Sequence, residues 1–139
     1  MSKSKKVSKN YYLFDCKKFI LGRMSSRIAT LLQGKNLPDY VPYKEGDCFI
    51  IVINSDKLNV SGKKLASKIY HSFSGYPGGI TSRTLEKALG SDSRKVVWNS
   101  IYGMLPKNKL RDKMMKKIQI FRDEKHDIKN SHFEEAEPK

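Results

Sequence analysis

The chain has 139 residues, with Lys+Arg 28 against Asp+Glu 14 and a formal net charge of +14 at neutral pH. That length suits one domain, and 38% hydrophobic residues are enough to bury one modest core, so disorder throughout is excluded. The longest apolar run, residues 49–53, is far short of the roughly 18 residues needed to span a bilayer, and no apolar stretch follows the Lys-rich start. A soluble protein that stays in the compartment where it is made is expected.

In chain order, residues 1–10 hold four Lys, no acid and one lone Val, which predicts a flexible basic arm until a partner orders it. Residues 11–14 are aromatic and apolar and predict a first strand ending at Asp15. Over 22–34, Met24, Ile28 and Leu31 recur at helical spacing with Leu32 beside them, and Gly34 is placed to close the helix. Pro38 and Pro42 forbid another regular helix, and Gly46-Asp47 predicts a turn. The run Phe49-Ile50-Ile51-Val52-Ile53 then predicts a central parallel strand buried on both faces.

After Asn54 the chain is polar, with Ser61-Gly62-Lys63-Lys64 predicting a turn that presents lysine and Ser74-Gly75-Tyr76-Pro77-Gly78-Gly79 a loop. Thr81 or Ser82 is placed to cap a short helix carrying Leu85, Ala88 and Leu89 that stops at Gly90. Val97, Ile101 and Leu105 mark a second helix ending before Pro106. Leu110, Met114 and Ile118 continue an apolar stripe whose opposite face holds Lys109, Lys113 and Lys116, and Ile118, Ile120 and Phe121 predict a short last strand. Alternating strands and helices without repeats predict an α/β domain over 11–122, followed by a polar, acidic tail over 123–139.

The charge is unevenly spread. Between 107 and 122 stand Lys107, Lys109, Arg111, Lys113, Lys116, Lys117 and Arg122 against the single acid Asp112. Such density repels itself, and a polyanion relieves it. Together with the whole-chain excess it points to nucleic acid rather than to a merely solvated helix face. Arg23 and Arg27 stand one turn apart in the opening of the first helix, where the helix dipole disfavours cations and free amides favour a phosphate. The glycines around Tyr76 allow close approach to a bulky partner, and the ring offers a stacking face to folded RNA.

Enzyme chemistry has little to stand on. Lys57 occupies the place where a nucleotide-binding loop ending at Gly62-Lys63-Lys64 needs its first glycine, and Asn54 stands where a magnesium-binding acid would follow the buried strand. His71, His126 and His132 match no metal-ligand spacing, so neither metal nor cofactor is expected. Asp15 and Asp47 could be drawn together, but nothing demands it. Cys16 and Cys48 make no disulfide framework or zinc site and are expected as small buried residues in a reducing compartment. Two alternatives stay open on residues alone: a phosphoryl-handling enzyme using Lys63 with the Arg23/Arg27 helix start, and a non-specific DNA-binding protein.

The blocks Leu21-Gly22-Arg23, Gly34-Lys35, Tyr40-Val41-Pro42, Gly46-Asp47, Ile51-Val52-Ile53-Asn54, Ser61-Gly62-Lys63-Lys64, Ser74-Gly75-Tyr76-Pro77-Gly78-Gly79 and Gly103-Met104-Leu105-Pro106-Lys107-Asn108 resemble the bacterial-type ribosomal protein L-thirteen family of the large subunit. They keep the family's order over 11–121, and the Gly-rich loop and the block at 103–108 are together highly specific. The resemblance implies a three-layer α/β/α fold around a central four-stranded, mainly parallel sheet. It also implies a non-catalytic constituent of the large ribosomal subunit that organises 23S-type rRNA from early in assembly, in a cytoplasmic or organellar ribosome, beside neighbouring ribosomal proteins and without a membrane or small-molecule substrate. At matched positions it implies RNA contacts by Arg23, Lys35, Lys63, Lys64, Tyr76, Lys107 and Asn108. Arg27, Lys109, Arg111, Lys113, Lys116 and Lys117 join them on charge alone. The chain departs from the family pattern at Leu37 and Ser72, where cations are usual, and at Arg111, where Gly is usual.

Overall fold

The computed structural model describes residues 10–128 and the backbone at 133–135; residues 1–9 of the basic arm expected over 1–10 and most of the acidic tail lie outside the described residues. Asn10, expected to close the arm, instead opens β1 (Asn10–Asp15). β1 pairs in parallel with β2 (Cys48–Ile53), from Asn10 opposite Cys48 to Asp15 opposite Ile53. The other edge of β2 pairs in parallel with β5 (Ile118–Ile120), so the apolar run at 49–53 lies in the middle of a parallel sheet, as its pattern predicts. Parallel neighbours need crossovers. One is supplied by α1 (Leu21–Gln33) and the other by α3 (Leu85–Met104) and α4 (Leu110–Met115).

The helix α1 forms where its apolar spacing places it. Met24, Ile28 and Leu32 are fully buried against Phe14, Ile50 and Val52 of the sheet and Val97 and Ile101 of α3. Burying side chains of this size contributes roughly 1.5–3 kcal/mol each. Gly34 ends α1 in the left-handed conformation, φ 76°, and its amide bonds the Leu31 carbonyl at 3.0 Å. Ile51 and Ile53 are buried on the opposite face of β2.

The cap expected at Thr81 or Ser82 needs correction. Thr81 and Ser82 cap nothing: they belong to β4 (Ile80–Thr84), which pairs antiparallel with β3 (Ile69–Phe73), and Thr84 is the residue whose hydroxyl accepts the Lys87 amide. The hairpin escapes a hydrophobicity pattern because it has no buried face; every residue of β3 and β4 is exposed or at most half-buried. The stripe through Leu110, Met114 and Ile118 passes from α4, which stops at Met115, into β5, the short last strand expected from Ile118 and Ile120, with Phe121 just beyond its end. A four-residue helix, α2 (Lys64–Ser67), precedes the hairpin.

The two helices expected on either side of Gly90 run together as α3, but Asp92 interrupts it with extended backbone, φ −154° and ψ 104°. Asp92 Oδ1 accepts the Arg94 amide at 3.2 Å, so the break is the N-cap of the second segment. Desolvation would raise this carboxyl, but hydrogen bonds and charge from Arg94, with a further bond from Arg122, offset it and hold the group below its usual range. At the end of β2, Asn54 takes a left-handed conformation, φ 59°, and donates from Nδ2 to Asp15 Oδ1 at 3.0 Å. Among the described residues no helix is long and apolar enough to cross a membrane.

Candidate nucleic-acid interface

The expected site residues fall into three groups. The first is the hairpin. Residues 57–85 carry Lys57, Lys63, Lys64, Lys68 and Arg83 and no acid. Nearly all of 61–83 is exposed, so like charges here stand in water rather than on a core. Tyr76 is 75% exposed at the tip. Gly75 and Gly78 adopt φ 87° and 73°, and the turn closes with the Gly79 amide on the Tyr76 carbonyl at 3.0 Å. The loop expected at 74–79 is thus the turn of a basic arm. Lys63 and Lys64 are exposed at its base, where Gly62 has φ 65°.

The second group lies where α3 hands over to α4. Lys107, Lys109, Lys113 and Lys116 are exposed. Asn108 is committed locally: its Oδ1 accepts the Leu110 amide at 3.1 Å and starts α4. The Arg111 guanidinium lies 3.8 Å from the centre of the Tyr102 ring, a cation–π contact that fixes the head group at the junction of α3 and α4.

The third group is on α1. Arg23 is exposed, whereas Arg27 is half-buried over Phe19 at 5.6 Å. The Ser26 hydroxyl lies 3.4 Å from Met104 Sδ, which sets the opening turns of α1 beside the end of α3, just before Lys107. Arg23 and the second group therefore adjoin. Lys35 is exposed at the far end of α1, after Gly34.

Lys117 belongs to none of these. Its Nζ donates to the Gly46 carbonyl at 2.7 Å and pairs with Glu45 Oε1 at 3.4 Å, turned into the body. Sequence reading missed Arg83 and Lys95, which with Tyr70, His71 and Asn99 line a cleft of about 370 Å³ between the hairpin and α3. The pairing of β3 with β4 sets Arg83 opposite Tyr70, and the hairpin's approach to α3 adds Lys95 and Asn99, so no sequence spacing carried the signal.

The residues weighed for catalysis are occupied or apart. Asp15 closes β1 while Asp47 precedes β2, and since those strands run parallel in register the two carboxylates sit at opposite ends of the sheet. Asp15 also accepts the Lys17 amide at 3.0 Å besides Asn54. Cys16 and Cys48 are buried and unpaired by disulfide. Desolvation, with the charge of Asp15, pushes the Cys16 thiol up to about 12; desolvation pushes Cys48 to about 11 despite the nearby Lys117 charge. Both are inert as nucleophiles near neutrality. Among the described residues no three His, Cys, Asp or Glu groups are placed to hold a metal ion.

The family model described as Ribosomal protein L13 matches residues 9–127. A large ribosomal subunit protein uL13 from Syntrophus aciditrophicus is 40% identical over 125 residues, covering 90% of this chain and 88% of the relative. The protein of the same name from Wigglesworthia glossinidia brevipalpis is 42% identical over 126 residues, covering 91% and 89%. That from Mycolicibacterium smegmatis is 42% identical over 120 residues, covering 86% and 82%.

Proposed function

The chain belongs to the ribosomal protein L13 family, and from that premise we propose that it is a non-catalytic structural constituent of the large ribosomal subunit, in a cytoplasmic ribosome. It binds 23S-type rRNA, organises it from early in assembly, and sits beside other ribosomal proteins. The observation that carries this reading is the acid-free arm of residues 57–85, exposed along most of its length with Tyr76 at its tip. Charge of one sign on an unburied hairpin does nothing for folding; it is what a phosphate backbone requires.

The mechanism is electrostatic and geometric. Arg23, Lys63, Lys64, Lys107, Lys109, Lys113 and Lys116 displace counterions from several RNA segments, and the α/β body holds those segments in fixed relation. Lys35 adds a further cation at the far end of α1, and Arg27, Tyr76 and Arg111 add stacking or edge contacts. Asn108 shapes the start of α4, and Lys117 serves through the fold rather than by contact. Specificity comes from RNA shape, because the narrow major groove of A-form RNA hides base edges. The reading includes a four-stranded sheet within a three-layer α/β/α body over 11–122, preceded by a basic arm; its support is that Phe133–Glu135 runs parallel to β1, with Tyr11 opposite Phe133.

A salt titration of binding to protein-free large-subunit rRNA tests the function. If roughly six to ten phosphates are contacted, affinity falls about a thousandfold or more between low and moderate salt. A flat response, or absence of the protein from purified large-subunit particles, overturns the reading.

A further inference from the structure

Trp98 is the chain's one tryptophan and is 40% exposed on the second segment of α3. Its ring stacks on Tyr102, one turn later, with centroids 4.7 Å apart and planes within 14°. On Tyr102 the guanidinium of Arg111 approaches to 3.8 Å. A guanidinium that close fills one face of the phenol ring, so the indole takes the other. Arg111, Tyr102 and Trp98 therefore form a single column of flat groups tying α4 to α3. Tyr102 covers one face of the indole, and Trp98 still keeps 40% of its surface exposed.

An indole face left in water forfeits apolar burial, and exposed aromatic surface of this kind marks a contact site. The surrounding charge selects the occupant. Lys95, one turn before Trp98, lines the cleft beneath the arm together with Arg83. Lys107, Lys109 and Lys113 flank the Arg111 end of the column in sequence. Asp92 lines the same cleft, but its carboxylate is paired with Arg94 at 3.3 Å and Arg122 at 3.4 Å, so it does not cancel the charge of Lys95 and Arg83. An apolar protein side chain would suit the indole but not this cationic setting. A nucleobase suits both, since its flat face matches the ring while its phosphate meets the lysines.

We propose that an unpaired rRNA base stacks on the open face of Trp98 and adds a fourth layer to the column, between the arm and the α3–α4 cations. The inference deepens the RNA-binding reading above and rests on it. It does not rest on the family motifs, because the cation at the foot of the column stands where the family pattern has Gly.

A lone tryptophan reports its own contact. The full-length protein is titrated at low salt with protein-free large-subunit rRNA while indole emission and filter retention are followed together. Emission should be strongly quenched in step with retention, and the quench should disappear with binding as salt is raised. Trp98→Ala should weaken binding by roughly 5- to 100-fold, and Trp98→Phe should recover most of it, with unchanged circular dichroism. Retention without quenching, or with a blue shift alone, overturns base stacking and leaves RNA binding standing. Failure of retention at any salt overturns the RNA-binding reading and the inference with it.

Discussion

The amide of Gly46 donates to the carbonyl of Leu32 at 2.9 Å, tying the loop that enters β2 to the last turn of α1. No side chain fits there: a Cβ on Gly46 would lie 2.8 Å from the Leu31 carbonyl oxygen and 2.9 Å from that of Leu32. Both obstacles are backbone and cannot swing aside. Gly46→Ala is therefore expected to destabilise the protein by about 1–3 kcal/mol through forced displacement, read as a lower urea midpoint at constant slope. Gly22→Ala, where a Cβ meets nothing within 4 Å inside α1, is the control and should leave the midpoint unchanged or raise it.

The same loop defines the role of Lys117. Its ammonium satisfies the Gly46 carbonyl and one oxygen of Glu45, whose other oxygen is buried without a hydrogen-bond partner. Lys117→Met should cost about 1–3 kcal/mol by leaving these groups unmatched. Affinity of the folded variant for rRNA should stay within about twofold, whereas a loss as large as that of an exposed lysine would return Lys117 to the contact surface.

Lys109 and Lys113 behave in the opposite way. Both are exposed and neither holds the core, so replacing both with Glu should barely move the urea midpoint. Their loss should make the plot of log affinity against log salt shallower by about 0.7–0.9 for each phosphate contact removed. An unchanged slope would place the binding face elsewhere.

Tyr76 stands 75% exposed on a turn closed by backbone bonds. Its ring contributes nothing to the core, so Tyr76→Ala should keep full stability. Loss of one stacking contact is worth about 1–3 kcal/mol in binding, and competition for rRNA between the variant and the parent protein measures it.

The buried thiols give a pH dependence of known sign. Folding raises Cys16 to about 12 and Cys48 to about 11 from the ordinary 9.0, so the unfolded chain ionises first. This contribution to stability is whole below pH 9 and is lost as pH rises from there towards 12. Urea midpoints measured across that window should fall, and Cys16→Ala should flatten the decline. At neutral pH, a thiol reagent should label both cysteines only at the rate of unfolding.

The periodicity of residues 22–34 and the β-branched run at 49–53 were enough to specify α1, Gly34 as its terminator and a buried central strand, because one buried face writes its spacing directly into the chain. Net charge and its clustering at 107–122 were likewise enough to indicate a polyanion, since seven cations against one acid in that stretch repel one another. Tertiary structure alone decided how those cations divide. Lys113 and Lys117 look alike in sequence, yet one stays in water and the other is drawn to Gly46, because the pairing of β5 with β2 brings the end of α4 beside the loop at 45–46. The hairpin of β3 and β4 was equally hidden, having no core face to pattern, and so were the Arg111, Tyr102 and Trp98 column and the cleft lined by Arg83 and Lys95. Contacts between residues distant in the chain leave no period to read; they exist only once packing has chosen which surfaces meet.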